Sequence, residues 1–177
     1  MIDLETLGTR AGCVILSIGG VMFDEMLGRT GKEFYTVLSL ESNKQAGLTE
    51  DPETLAWWTR QPLEARQVLS QAEGEAAVAL GAGLQQLNTY LSEAGAATVT
   101  VWGNGSDFDN SILYAAYAAA GVKQGWAFWN SRCFRTLKSL APEIPAPLRQ
   151  GVHHNALDDA RHQAVHAIRV LRHLKGL

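Results

Sequence analysis

Cysteine is scarce in this chain, with two in 177 residues, and neither stands at a metal or redox spacing from another. Cys13 opens an apolar run and reads as a small buried hydrophobe, while Cys133 is isolated. A disulfide scaffold is thereby excluded, and a reducing, cytoplasmic setting is favoured. No apolar run nears the roughly 20 residues of a membrane span, and no charged segment followed by an apolar one marks a secretion signal. Repeats and low-complexity stretches are missing too. Positive charge is not in excess: 15 Lys and Arg against 18 Asp and Glu leave a net charge of −3, which argues against broad electrostatic wrapping of a duplex.

What is present is the composition of a globular protein, 46% hydrophobic and 19% charged. The length suits one domain over residues 1–177 with a core of useful size. Charge is unevenly placed: before Ser131 there are 7 Lys/Arg against 15 Asp/Glu, and from Arg132 onward 8 against 3. Either the acidic front and the basic tail meet in one cleft, or the basic residues are the solvated face of the last helix.

Residues 1–9 and 13–23 are apolar, β-branched runs and read as adjacent strands, with 32–40 as a third. The chain opens inside the first of these, which is either its natural start or a strand shortened by a residue or two. Asp51 before Pro52 caps a helix that Pro62 splits in two. Residues 76–95 form a helix stopped by Gly95. Residues 98–103 are a buried strand, 107–121 a helix, 126–130 a short strand and 131–141 a helix. A final helix runs from near Asn155 to about Leu174. The order βββ, helices, β, α, β, α, α predicts an α/β fold. Its sheet would be mixed and five-stranded, an antiparallel meander plus parallel strands flanked by helices.

Three places carry too many carboxylates. Asp3 and Glu5, two apart in a strand, project from one face, with Ile2 and Leu4 on the other. Adjacent acids in so apolar a strand repel each other and resist desolvation, unless the strand is a solvated edge. In "VWGNGSDFDNSIL", Asp107 and Asp109 stand where a helix begins. Either can cap it; Asp109, three and four residues before Ile112 and Leu113, lies on the inward face, and Asp107 makes the better cap. Asp107 remains a minor alternative as the functional acid. In "GVHHNALDDARHQAVHAIRV", Asp159 belongs to a stripe of Ala156, Ala160, Gln163, Ala164 and Ala167, while Asp158 points toward solvent. His154 precedes that helix in a loop; His153, His162, His166 and His173 read as surface or helix-face residues.

Asp3, Glu5, Asp109 and Asp159 together are four acids without counter-charge, with His154 as a nearby base. Two divalent cations would balance them, Mg²⁺ or Mn²⁺ given an all-oxygen donor set. A cation pair is the arrangement that in-line phosphoryl displacement uses, and a loop histidine can take a proton from water.

"DLET", "GNGSDFDNSIL" and "HNALDDARHQA" resemble the three exonuclease motifs of the DEDDh 3′-5′ exonuclease family. The connecting text, "TLAWWTRQPLEAR" and "FRTLKSL" included, looks like the phage and bacterial branch. That branch is related to the exonuclease domain of exodeoxyribonuclease VIII and to the mycobacterial 3′-5′ exoribonuclease group. The resemblance covers nearly the whole chain. It implies a ribonuclease H-like fold and metal-dependent release of nucleoside monophosphates from single-stranded or 3′-overhanging RNA or DNA. Asp3 would bridge both cations, Glu5 and Asp159 would hold the nucleophile side, Asp109 would act through water, and His154 would be the general base. Thr6 and Leu7 would contact the terminal nucleotide, with Asn104 and Phe108 beside it; for Leu7 and Phe108 core packing is an equal reading. Trp57 and Trp58 read as packing residues. A homodimer is compatible with the family pattern. Two competing functions are a catalytically silent nucleic-acid-binding or recombination-partner module and a small-nucleotide phosphohydrolase. The latter leaves Asp3 and Glu5 unexplained.

Overall fold

The computed structural model describes residues 1–95, 98–105 and 107–177, so Ser106 of the Gly-rich turn lies outside the described residues. Three strands open the chain: β1 (Ile2–Thr6), β2 (Ile15–Asp24) and β3 (Arg29–Val37). They form an antiparallel meander in the order β1-β2-β3. β2 is buried along most of its length and β3 is largely exposed, so β2 is the sheet's centre.

The third strand ends at Val37, not at residue 40. Ser39 then caps a helix that the sequence reading lacked, α1 (Leu40–Gln45), its side chain accepting from Ser42 N. Asn43, fully buried, fixes this helix to the sheet: its Oδ1 accepts from Ile15 N at 3.0 Å and its Nδ2 donates to Ser39 O at 2.9 Å. α2 (Pro52–Trp58) starts from the Asp51 cap with proline at its first position, and α3 (Leu63–Glu73) follows Pro62. α4 (Leu80–Ser92) ends before Gly95, whose φ is 85°.

β4 (Val101–Gly103) leads into α5 (Asp109–Ala119). Residues 126–130 are not a strand; Phe128–Asn130 make one 3₁₀ turn. The strand lies just after it, β5 (Ser131–Cys133), and the helix expected over 131–141 shrinks to α6 (Phe134–Ser139). β4 and β5 pair in parallel. The five strands thus form two hydrogen-bonded sheets, one of three antiparallel strands and one of two parallel strands, instead of one continuous ladder.

α7 (Ala156–Lys175) lies across the first sheet. Ala156, Ala160, Ala164 and Ala167 are fully buried along its inner stripe, and small side chains let the helix approach closely. The approach is closest at Gly19: a Cβ there would sit 2.2 Å from the backbone C and O of Ala156. On the opposite face Ile2, Leu4, Leu16 and Ile18 join Leu84, Leu87 and Ile112 in the larger core. Among the described residues no helix is long and apolar enough to cross a membrane.

Candidate active site

The period-2 geometry of β1 sends Ile2 and Leu4 into that core and leaves Asp3 and Glu5 on the α7 side. Because α7 starts directly over Gly19, the partner of Asp3 in the β1-β2 register, its first turn brings Asp159 to the same place. One carboxylate oxygen from each of Asp3, Glu5 and Asp159 then lies within 4.8 Å of the other two. Glu5 and Asp159 are only 6% and 8% exposed.

Asp109 stands next to this group but spends its oxygens on backbone. Its Oδ1 accepts from Leu4 N at 3.2 Å and its Oδ2 from Asn104 N at 2.6 Å. Gly103 makes the room, since a Cβ there would lie 2.8 Å from Asp109 Cβ. Asp109 is 1% exposed, whereas Asp107 is exposed. α5 is capped by Phe108 with no side-chain hydrogen bond, so Asp107 does not serve as the cap expected of it.

The carboxylates are held against their charge. Burial, then Asp109, then Glu5 push Asp3 well above the usual carboxylate range, with Gln163 and Arg149 opposing. Burial and Asp109 lift Glu5 to about 8, and burial lifts Asp109 to about 6. Among the described residues the only cation meeting the triad directly is Arg149, whose Nη2 pairs with Asp159 Oδ1. Gln163 Nε2 donates to Asp3 Oδ1 at 2.6 Å.

His154 closes the far side. Its backbone φ is 63°, a left-handed conformation that a non-glycine residue rarely holds. Its N–H donates to Asp159 Oδ2 at 3.0 Å. Its ring meets Trp57 edge-on at 4.7 Å and lies 3.9 Å from the His153 ring. Burial, then His153 and Arg149, lower its pKa to about 4, which leaves the ring neutral at physiological pH. His153, His154 and Asp159 also bring ligand atoms within 4.8 Å of one another.

These groups line a cleft of about 730 Å³ that also receives Thr6, Asn104, Phe108 and Lys138. Leu7 is not in it. At 1% exposure Leu7 is buried in the core, in keeping with the packing reading of this residue. Thr6 Oγ1 is committed to Gly8 O at 2.6 Å. Trp58 is a packing residue, 1% exposed with Nε1 donating to Thr6 O, but Trp57 faces the cleft and holds the His154 ring. Asp158 does not turn to solvent: Oδ2 accepts from Val152 N and Oδ1 pairs with Arg161, bracing the loop that carries His154. His166 is buried too, its Nε2 3.1 Å from Ile144 O.

Sequence reading missed Arg149, Trp57 and the role of Gln163. Gln163 was legible, four residues after Asp159 on the same stripe; Arg149, in a loop between prolines and Gly151, carried no periodic signal.

A divalent cation fits this donor set. It is all oxygen at the triad, Asp3 and Glu5 are pushed toward protonation by burial and then by Asp109, and Gln163 Oε1 and Asn104 Oδ1 are buried beside it without a hydrogen-bond partner among the described residues.

The sequence profile of the 3′-5′ exoribonuclease Rv2179c-like domain matches residues 1–171. The chain belongs to that family. It is a 3′-5′ exonuclease. Among solved structures, one described as a full-length 3′-exonuclease superposes with a TM-score of 0.62 over 97% of this chain and 80% of its own, at 15% identity. That likeness shows a shared fold. No curated protein gives a significant match.

Proposed function

We propose that this Rv2179c-like chain, as a single exonuclease domain over residues 1–177, releases nucleoside monophosphates from the 3′ ends of single-stranded or overhanging nucleic acid. The family's description as exoribonuclease makes RNA the first substrate to test. The observation that carries the reading is the convergence of Asp3, Glu5 and Asp159 within 4.8 Å, with Glu5 and Asp159 buried and, among the described residues, Arg149 as the one cation paired with them. We also read the two sheets as halves of one ribonuclease H-like sheet, parted where the Asp109 carboxylate takes the Leu4 N–H between β1 and β4.

Asp3, Glu5 and Asp159 would hold the divalent pair, Mg²⁺ or Mn²⁺, with Asp109 beside them. Bound cations supply charge neutralisation and polarise the scissile phosphate. The chain's own groups do the rest. Gln163 fixes the rotamer of Asp3, and the His154 N–H fixes that of Asp159. The neutral His154 ring, held by Trp57, can accept a proton from an attacking water. Asn104 and Phe108 flank the place where the terminal nucleotide would lie, and Trp57 and Trp58 keep water from the back of the imidazole.

The test is release of monophosphates from an end-labelled oligonucleotide, RNA and DNA in parallel, with Mg²⁺ or Mn²⁺ and with a chelator. No release under any cation would end the proposal. His154→Ala should lower kcat by roughly a hundredfold or more. The ordinary imidazole value of 6.5 would put an acid limb there, and the site moves it toward 4. An acid limb that shifts to lower pH as cation concentration rises belongs to the carboxylates; one that stays fixed and disappears in His154→Ala belongs to the imidazole.

A further inference from the structure

Between Asp109 and Glu143 the chain has no acidic residue, yet Lys123, Arg132, Arg135 and Lys138 fall in that interval. Its last part runs outward from the cleft. Lys138 lines the cleft, with Nζ 4.7 Å from the centre of the Phe134 ring. Nearly one turn earlier on α6, Arg135 Nη2 donates to Asn104 O at 2.9 Å, at the cleft's rim. Arg132, in register with Trp102 of β4, donates to Trp129 O at 2.7 Å. The 3₁₀ turn beyond it presents Phe128 and Trp129, 72% and 67% exposed, edge to face at 4.9 Å.

Two adjacent aromatic rings left in water are costly unless something covers them. Among the described residues none of the three cations pairs with a carboxylate, in contrast to Arg161, Lys32 and Lys175. A polyanion with flat apolar faces satisfies both needs at once. Cations that track phosphates, interleaved with rings on which bases stack, are how single strands are bound without sequence preference.

We propose that Phe128, Trp129, Arg132, Arg135 and Lys138 form a path for the nucleotides upstream of the 3′ end. Bases stack on the two exposed rings, and the phosphates between there and the cleft meet the three cations. The direction of the strand rests on the exonuclease reading; the binding surface does not. Of the three path cations Lys138 is the one that lines the cleft itself, and so the nearest of them to the scissile end.

The experiment is fluorescence anisotropy with 3′-phosphorylated uridine heptanucleotide and dinucleotide in chelator, where no cleavage occurs, on wild type, Trp129→Ala and Arg132→Ala. Trp129→Ala should weaken heptanucleotide binding roughly tenfold and shrink the advantage of the heptanucleotide over the dinucleotide. Arg132→Ala should reduce the slope of log affinity against log salt by about 0.7. Both side chains are exposed, and thermal melts check that the variants fold. Unchanged binding in both variants, or no binding by wild type, overturns the proposal. A change from dimer to monomer in Trp129→Ala with binding unaltered also overturns it, because a second copy would then be what covers the rings. Monophosphate release is scored separately: its absence, with ring-dependent binding intact, sinks the exonuclease reading and leaves the path standing.

Discussion

Glu5 and Glu33 sit in one three-stranded sheet and meet opposite fates. Glu33, on the exposed strand β3, receives Arg161 through two hydrogen bonds of 2.8 and 2.6 Å, and its carboxyl is pulled below the usual range. Glu5, on β1, is buried beside Asp3 and Asp109, and its carboxyl is lifted to about 8. Arg161 and Asp159 even share a helix, two residues apart. On the rim where Glu33 meets Arg161 the chain matches its own charges; for Asp3 and Glu5 in the cleft it does not, and the balancing charge has to arrive from outside. That contrast separates the residues that hold the fold from those the fold strains to present.

The strongest way to break the contrast is to remove a mismatched acid. Asp3→Asn keeps the shape and the Gln163 contact, and should cost activity by roughly a thousandfold or more, on the scale of losing a central electrostatic group. The same variant, free of metal, should melt no lower than wild type, and cations should no longer raise its melting temperature. Wild-type-like turnover in Asp3→Asn would erase the distinction between rim and cleft.

Next in size is the backbone contact that delivers Asp159. Gly19→Ala places a methyl 2.2 Å from Ala156 backbone atoms, and because neither is a flexible chain end, α7 must move. A loss of about 1–3 kcal/mol or more is expected from chemical denaturation, together with weaker cation binding. Unaltered cation affinity in a destabilised Gly19→Ala would separate the helix position from the site.

A smaller effect is a pH dependence of stability in chelator. Glu5 has its folded pKa raised from 4.5 to about 8, so the folded chain binds more protons across that interval and loses stability as pH rises through it. The lowered values of His154 and of the Met1 amine run the other way, so the measurement is a difference. Glu5→Gln should gain on wild type steadily from about pH 4.5 to about 8, and saturating Mg²⁺ or Mn²⁺ should diminish that gain. A flat difference would mean that Glu5 is not strained.

The smallest effect belongs to the rim. Arg161→Ala breaks exposed pairs to Glu33 and Asp158 and should cost within about 1 kcal/mol, with kcat unchanged. A large kcat loss would show that the loop braced by Asp158 feels the rim after all.

The sequence made the site more legible than the sheet. D-x-E on a strand and the small-residue stripe of α7 are both periodic, and periodicity survives translation into three dimensions. The α1 helix was hidden because it depends on buried Asn43 bonding to Ile15, 28 residues away, a contact with no local signature. β5 escaped because three residues are too few to show a period, and the aromatic run just before it looked more strand-like. For Leu7 the sequence left nucleotide contact and core packing as equal readings, and its burial supports packing. Arg149 and Trp57 entered the site from segments whose own patterns pointed only to loop and core.

Asp109 has a consequence for how such a site can be probed. Its two oxygens stand where backbone would otherwise meet backbone, taking the N–H of Leu4 and of Asn104. An amide in its place would turn a donor toward one of those donors, loosening the seam between β1 and β4 along with any chemistry. Inactivity of Asp109→Asn would therefore confound architecture with reactivity. Asp3, whose Oδ1 accepts from Gln163 Nε2, a contact that an amide oxygen can still make, is the cleaner place to ask a chemical question.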